Sequence, residues 1–166
     1  GLLDKSMGMA EIPDEADDCP LVYVTGKQFG EIADLLGARL PTEIEWERAA
    51  VGAGNEPRTY SFGNEFNPNK AAFNCKGTRS VFAHRDYGTP EGILDLSGNV
   101  WEWTSTLYSE DWADPSNHRF GSMDNPVMLR GCSWAHNDPE VLEATYSISG
   151  PLLYKGDGFG ARFAKD

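Results

Sequence analysis

The sequence predicts an α+β fold with two early helices, short antiparallel strands and much irregular loop. Two segments in the first third have helical capping and periodicity, and three blocks in the second half read as short strands. The chain has 166 residues, is 40% hydrophobic and contains 18 Gly and 10 Pro, which suits one turn-rich core. We therefore expect an irregular acidic arm over residues 1–19 and a single domain over residues 20–166.

The first helix is predicted after a strand-like run at Pro20–Val24. Thr25 and Gln28 have the spacing of a capping box, and Gly37 is a natural stop. The apolar positions that follow the cap define an amphipathic helix: Phe29, Ile32, Leu35 and Leu36.

The second helix is predicted within Leu40–Ala50. Thr42 caps it and Glu45 reaches back to the cap, with an inward face at Trp46, Ala49 and Ala50. Glutamates at 43, 45 and 47 crowd the first turn, where the helix dipole favours negative charge. Acid–base chemistry is one interpretation of these glutamates, and a solvated helix start is the one we expect.

Regular patterning disappears between Val51 and Pro90, where isolated aromatic residues must hold the backbone. A turn at Gly98-Asn99 then leads into a strand containing the tryptophans of WEW. Further strands are predicted at Val127–Trp134 and Gly160–Ala164. The expected core aromatics are Trp101, Trp103, Phe159 and Phe163.

The net charge of −12 disfavours nucleic acid as a partner and favours cationic ones. No apolar run is long enough to span a bilayer, so we expect no membrane insertion. The three cysteines, Cys19, Cys75 and Cys132, form no CxxC pair and are expected to be small apolar side chains.

Several blocks together resemble the formylglycine-generating enzyme/sulfatase-modifying-factor family. They are RLPTEIEWERAA, YSFGNEFNPNKAAFN, GILDLSGNVWEWT, LRGCSW and the terminal GARFA, in the order that the family has them. The resemblance implies a C-type lectin-like fold of the formylglycine-generating-enzyme type.

The resemblance also implies a test for catalysis. Family enzymes bind copper through two cysteines downstream of the RGxSW block, and this sequence has no cysteine after Cys132. A related branch uses three histidines to bind iron, whereas His84, His118 and His136 are scattered. We expect neither catalytic residues nor a redox cofactor; the alternative is a formylglycine-generating or sulfoxide-synthase-type enzyme with an altered site.

A second group with this fold, the variable proteins of diversity-generating retroelements, binds ligands without catalysis. In that group a stretch after RGxSW is rewritten, which here corresponds to residues 135–157, framed by Trp134 and Arg162. The resemblance implies a protein or cell-surface ligand and a virion or cell-surface location. A plain surface loop, or a structural or chaperone-like role, are the alternatives. The candidate ligand-binding residues are Ala135, His136, Asn137, Asp138, Tyr146, Ser147, Ile148, Ser149, Leu153, Tyr154 and Asp157.

A structural calcium site is also implied by the resemblance. Its ligands would be the side chains of Asp95 and Glu102 and the carbonyl groups of Gly98 and Val100, all hard oxygen donors. The alternative is that Asp95 and Glu102 cap turns or pair with arginine. Asn74 resembles a ligand of a second family site.

Overall fold

The computed structural model describes residues 18–54, 56–108 and 126–166. Two helices, α1 (Gly26–Leu35) and α2 (Glu43–Val51), precede a four-stranded sheet in the order β3-β2-β1-β4. Neighbouring strands are antiparallel except for β1 and β4, which run parallel, so the sheet is mixed rather than wholly antiparallel. The strands are β1 (Trp101–Leu107), β2 (Pro126–Arg130), β3 (Ser147–Pro151) and β4 (Phe159–Gly160). The predicted arm lies outside the described residues, apart from residues 18 and 19.

Both predicted helix starts are confirmed as capping boxes. Gly37 follows α1 with a φ of 62°, in agreement with its predicted role as a stop. The predicted apolar face of α1 is partly wrong, because Leu35 is 87% exposed and Leu36 is 60% exposed. Phe29 and Ile32 do pack into or against the core as predicted, and Ala33 joins them in place of the leucines.

The glutamates of α2 do not share one environment. Glu45 is solvated and pairs with Arg39 at 2.7 Å. Glu43, however, is only 1% exposed, and its carboxylate lies 2.8 Å from the guanidinium of Arg130. The expected solvated helix start is therefore wrong for Glu43, because a buried arginine of β2 lies beneath this end of the helix.

The core lies between the sheet and the helices, as the tryptophan-rich block predicts. Trp101 and Trp103 are 2% and 0% exposed. Phe159 is half-buried and packs against the same cluster. Phe163 was expected in the core but is 37% exposed, because the chain leaves the sheet after β4 and returns only as a bridge between Ala164 and Arg39.

The irregular segment at 51–90 is held by an aromatic chain. Tyr60 stacks on Phe62 at 5.2 Å between centroids and lies 5.9 Å from Phe66, which in turn lies 6.0 Å from Phe73. Its helical content in the described residues is limited to two short 3-10 turns, at Pro68–Lys70 and Arg85–Tyr87. The aromatic side chains thus supply the anchoring that this sequence requires.

Three predicted strands differ from those observed. Pro20–Val24 forms no strand, and the last strand spans only Phe159–Gly160 rather than Gly160–Ala164. The strand predicted over Val127–Trp134 ends at Arg130, because Gly131 and Cys132 take φ values of 98° and 69°. A left-handed pair of residues cannot continue an extended strand.

Cys132 combines a left-handed backbone with a buried side chain, which is 0% exposed. Glycine relieves the backbone cost of roughly 1 kcal/mol, whereas alanine retains it. We expect Cys132→Gly to be more stable than Cys132→Ala by about 1 kcal/mol in urea unfolding. At Ala33, inside α1, the order should reverse, with Ala33→Gly less stable than the parent by about 1 kcal/mol. An alanine variant at 132 that equals or exceeds the glycine variant would contradict the left-handed assignment.

Candidate ligand-binding face

The eleven candidate residues within 135–157, which we call the candidate face, all have side chains accessible to solvent. Tyr146, Leu153 and Tyr154 are 39%, 48% and 50% exposed. Those that are only half-buried are His136, Ser147 and Ile148. None of the eleven is buried.

Buried residues alternate with the candidate face along the same stretch of chain. Leu142 and Ala144 are 0% exposed and Leu152 is 1% exposed. The segment also contains a short 3-10 helix, Pro139–Leu142, and the whole of β3. It is therefore anchored at intervals rather than forming one long loop.

Trp134 connects the segment at 135–157 to the rest of the domain through two hydrogen bonds. The Trp134 indole N–H donates to the carbonyl of Asp157 at 3.2 Å, and its backbone N–H donates to Asn99 at 2.9 Å. The two ends of the segment are thereby held together. Arg162, the other predicted frame residue, pairs with Glu102 at 2.5 Å and donates to the carbonyl of Leu94 at 3.0 Å.

His136 and Tyr146 both contact the ring of Trp101. The Trp101 indole N–H donates to Nε2 of His136 at 3.0 Å, and the two rings meet edge to face at 5.5 Å. The Tyr146 ring lies 6.3 Å from the same indole. Because Nε2 accepts the hydrogen bond from the indole, the imidazole hydrogen lies on Nδ1. One half-buried and one exposed side chain thus contact one buried ring.

Leu153, Tyr154 and Asp157 form a second part of the face. The Tyr154 ring contacts Phe159 edge to face at 4.9 Å. Phe159 is the partner of Trp101 across β4 and β1, which places this part next to the His136–Tyr146 part.

Other members of the candidate face also contact the framework. Asp138 accepts a hydrogen bond from the backbone of Glu140 and so caps the 3-10 helix. Ile148 packs against the main core, and Ser147 is the strand partner of the buried Arg130. Substitution at these three positions therefore carries a larger structural cost than substitution at Asn137 or Leu153.

Sequence reasoning missed the residue that holds the start of β3. Arg130 is 4% exposed and donates to the carbonyl groups of Ala144 and Tyr146 at 3.2 and 3.3 Å. Its guanidinium also pairs with Glu43 and Glu47, one turn apart on α2. Burial raises the pKa of Glu43, and the charge of Arg130 opposes that rise. The sequence did contain a signal for this cluster. Glu43 and Glu47 are four residues apart and so lie on one face of α2, and Arg130 belongs to the RGxSW block.

The predicted calcium ligands lie beside a cleft of about 290 Å³ that Asp95, Val100, Glu102 and Arg162 line in part. Asp95 accepts from the amide of Asn99 at 3.1 Å. Burial raises the pKa of Asp95 to about 6; the hydrogen bond from Asn99 opposes this rise and the charge of Glu102 adds to it.

Glu102 shares its carboxylate between two donors. Arg162 donates to both of its oxygens, at 2.5 and 2.7 Å, and the Trp46 indole donates to one at 2.5 Å. Three of about four lone-pair positions are thus taken. Glu102 therefore pairs with arginine, as the alternative interpretation predicts, while the excess of two carboxylates over one guanidinium leaves negative charge among oxygen donors of the kind that calcium prefers.

Asn74, the residue that resembles a second metal ligand, donates its backbone N–H to the carbonyl of His136 at 2.9 Å. Within residues 18–54, 56–108 and 126–166, no three His, Cys, Asp or Glu side chains lie close enough together to hold a metal ion among them. His118 lies outside the described residues. Over the same ranges no helix combines the length and apolar character that crossing a bilayer demands.

The helices, mixed sheet and long irregular connections define a C-type lectin-like fold of the formylglycine-generating-enzyme type. Residues 4–166 match the Sulfatase-modifying factor enzyme 1-like domain, and the chain belongs to that family.

Curated relatives with this domain carry different names. A serine/threonine-protein kinase pkn1 of Chlamydia pneumoniae is 33% identical over 146 residues, covering 78% of this chain and 23% of that protein. An inactive C-alpha-formylglycine-generating enzyme 2 of Mus musculus is 35% identical over 130 residues, covering 70% and 38%. A formylglycine-generating enzyme of Streptomyces coelicolor is 34% identical over 143 residues, covering 72% and 43%. The chain spans less than half the length of each of these proteins.

Solved structures share the fold at low identity. PvdO from Pseudomonas aeruginosa superposes with a TM-score of 0.74 at 22% identity, covering 90% of this chain and 62% of that one. Treponema denticola variable protein 1 superposes with a TM-score of 0.73 at 18% identity, covering 96% and 76%. The Major Tropism Determinant I1 variant gives 0.55 at 16% identity, covering 86% and 37%.

The Arg130 cluster yields a stability prediction. Removing one partner of a buried ion pair leaves an uncompensated charge, so we expect Arg130→Ala to lower the free energy of unfolding by about 3–5 kcal/mol. The exposed pair Lys27–Glu31 serves as the control, and Lys27→Ala should cost less than about 1 kcal/mol. Denaturant unfolding measures both, and hydrogen exchange should show the largest loss of protection at residues 144–149. Equal effects of the two substitutions would refute the role given to Arg130.

Proposed function

We propose that this domain is a non-catalytic ligand-binding protein that presents the candidate face on a C-type lectin-like scaffold, as retroelement-diversified variable proteins do. The observation that carries the proposal is the alternation of eleven accessible side chains with buried anchors such as Leu142 and Leu152. Side chains that project from an anchored backbone can change without loss of the core. The tyrosines and the histidine are residue types suited to recognition, since they bury area at low entropic cost.

The state of Cys132 supports binding over thiol chemistry. Its side chain is 0% exposed, and burial raises the pKa of the thiol to about 12. A protonated thiol in the core is a poor nucleophile and a poor metal ligand. Cys132 therefore serves the core in this proposal.

A protein or cell-surface ligand fits the composition of the face. The exposed apolar side chains of the face are Tyr146, Leu153 and Tyr154. The chain's net charge of −12 disfavours nucleic acid as the ligand. A virion or cell-surface location belongs to the same proposal.

Two adjacent leucines provide a matched test of the alternation. Leu153→Ser should change the free energy of unfolding by less than about 0.5 kcal/mol, because 48% of that residue is already exposed. Leu152→Ser should cost about 3–5 kcal/mol, because it empties a core position and buries a hydroxyl. A combined variant with serine at 146, 153 and 154 should unfold near the parent temperature in calorimetry. Collapse of that variant would contradict a face that is free to vary.

Sequencing of the gene and its neighbourhood tests the proposed diversification directly. The proposal expects a neighbouring reverse-transcriptase gene, a template repeat of the 3′ coding end, and population variants concentrated in codons 135–157. Variants spread evenly along the gene would contradict it.

A second candidate is an enzyme with an altered site, favoured by the relatives named as formylglycine-generating enzymes.

The binding proposal includes a structural calcium ion held by Asp95, Glu102 and the carbonyl groups of Gly98 and Val100. When bound, calcium would supply the positive charge that the carboxylates of Asp95 and Glu102 and the guanidinium of Arg162 leave unbalanced.

Elemental analysis of the purified protein separates the two candidates. We expect about one calcium and less than about 0.1 copper or iron per chain. Asp95→Ala should release the calcium, whereas Asp86→Ala, at an exposed aspartate, should retain it. Stoichiometric copper or iron would favour the enzyme.

A further inference from the structure

The guanidinium of Arg162 lies beside both acidic residues of the proposed calcium site. It donates to both carboxylate oxygens of Glu102, at 2.5 and 2.7 Å, and to the carbonyl of Leu94 at 3.0 Å. Leu94 is the residue before Asp95, and Asp95 and Arg162 line the same cleft. The site thus contains a cation that belongs to the chain itself.

Both carboxylates act electrostatically on Arg162. Burial lowers the pKa of its guanidinium, but the charges of Glu102 and Asp95 and the hydrogen bond to Glu102 raise it by more, so the pKa lies above its ordinary value. The Arg162 side chain is only 27% exposed, and solvent therefore screens these attractions incompletely. Arginine does not lose its proton in proteins. Arg162 therefore supplies permanent positive charge where a calcium ion would supply its own.

Arg162 and a calcium ion require the same oxygen atoms. A carboxylate offers about four lone-pair positions, and Arg162 and the Trp46 indole take three of those on Glu102. Calcium takes roughly six to eight oxygen ligands, so it draws on oxygens that the arginine already holds. Two positive charges at such close range also repel each other, most strongly where water is excluded.

We infer that Arg162 is a built-in competitor of calcium: it neutralises Glu102 in the calcium-free protein, and calcium binds only as this ion pair weakens. This role rests on the calcium ion of the proposed function, whose affinity Arg162 sets. A buried carboxylate that lacks a counter-charge is strongly destabilising. Because Glu102 has one cation or the other at all times, the fold tolerates the loss of calcium.

Arg162 belongs to the segment that follows β4. Gly160, two residues earlier, is the strand partner of Glu102, and Ala164, two residues later, forms a bridge with Arg39. When calcium draws Glu102 away from Arg162, this segment loses a side-chain contact between those two backbone anchors. Calcium therefore loosens the C-terminal segment locally while it stabilises the domain as a whole.

Isothermal titration calorimetry with calcium chloride compares the parent chain with Arg162→Gln. Glutamine removes the positive charge and frees the Glu102 oxygens, so we expect calcium to bind the variant at least about tenfold more tightly. Melting temperatures in EGTA and in saturating calcium complete the comparison. The variant should melt below the parent in EGTA, because Glu102 then lacks its counter-charge, and should gain more from calcium than the parent gains.

Arg58→Gln is the matched control. The Arg58 side chain is 15% exposed, pairs with Glu91 and donates to the carbonyl groups of Ala49 and Ala50. Its loss should lower the melting temperature in EGTA, as the loss of Arg162 does, but leave the calcium affinity at the parent value. If Arg58→Gln also bound calcium tenfold more tightly, net charge would explain the effect and the competition would be refuted.

Nuclear magnetic resonance of the parent chain follows the ion pair without any substitution. The Nε–H of Arg162 donates to Glu102, whereas the Nε–H of Arg58 donates to the carbonyl of Ala50 at 3.1 Å. Calcium should shift the Arg162 signal and speed its exchange with solvent, and it should leave the Arg58 signal in place. An Arg162 signal that stays unchanged at saturating calcium would overturn the inference, even if Arg162→Gln does not fold.

The remaining outcomes separate the role of Arg162 from the proposed function. If the parent binds calcium and Arg162→Gln binds it equally or more weakly, Arg162 is no competitor and the proposed calcium site stands. If neither chain binds calcium, the calcium site and the role of Arg162 both fail, while the proposed binding face is unaffected. A variant that folds only in the presence of calcium would support the inference, because the ion then replaces the missing guanidinium.

Discussion

The rest of the structure depends on the hydrogen bonds that the buried carboxylate of Glu102 accepts. It lies in β1, is 4% exposed, and accepts hydrogen bonds from Trp46 of α2 and from Arg162 near the C-terminus. A buried carboxylate is tolerated only when it is paired and hydrogen-bonded, so these three groups require one another. Because β1 also carries Trp101 and Trp103, this single contact sets the position of the strand that supports both the core and the face.

Arg130 applies the same constraint on the other side of β1. Two glutamates from α2 balance its charge, and two carbonyl groups from the segment before β3 complete its hydrogen bonds. Apolar packing alone would tolerate small shifts of α2 along the sheet, whereas unpaired buried charges would penalise them. The candidate face therefore receives part of its geometry from α2 through Arg130, a residue that lies outside the face. Trp134 and Trp101 complete that support from the opposite end.

Local signals in the sequence predicted the local features of the fold. Both capping boxes lie within four residues of chain, so Thr25 and Thr42 marked the helix starts correctly. Glu43 was misjudged because its partner, Arg130, is distant in sequence, and a helix start with three acids is ordinarily solvated. The left-handed backbones of Tyr23 and Cys132 were also invisible, since neither residue type signals that conformation. Strand β3 has poor strand propensity, since it contains two serines, a glycine and a proline. It forms because its backbone pairs with the edge of β2. The candidate residues came from a family resemblance, and no pattern in residues 135–157 distinguishes outward positions from anchors such as Ala144.

The interval between anchors along residues 135–157 has a consequence for how this protein can evolve. A change at an outward position alters the chemistry of the surface, and a change at an anchor alters the packing of the core. Outward positions and anchors alternate within a few residues of each other. The codons that determine the surface are therefore separate from those that determine the core, although both lie in one short stretch of the gene. The chemistry of the surface and the stability of the fold can then change almost independently over generations.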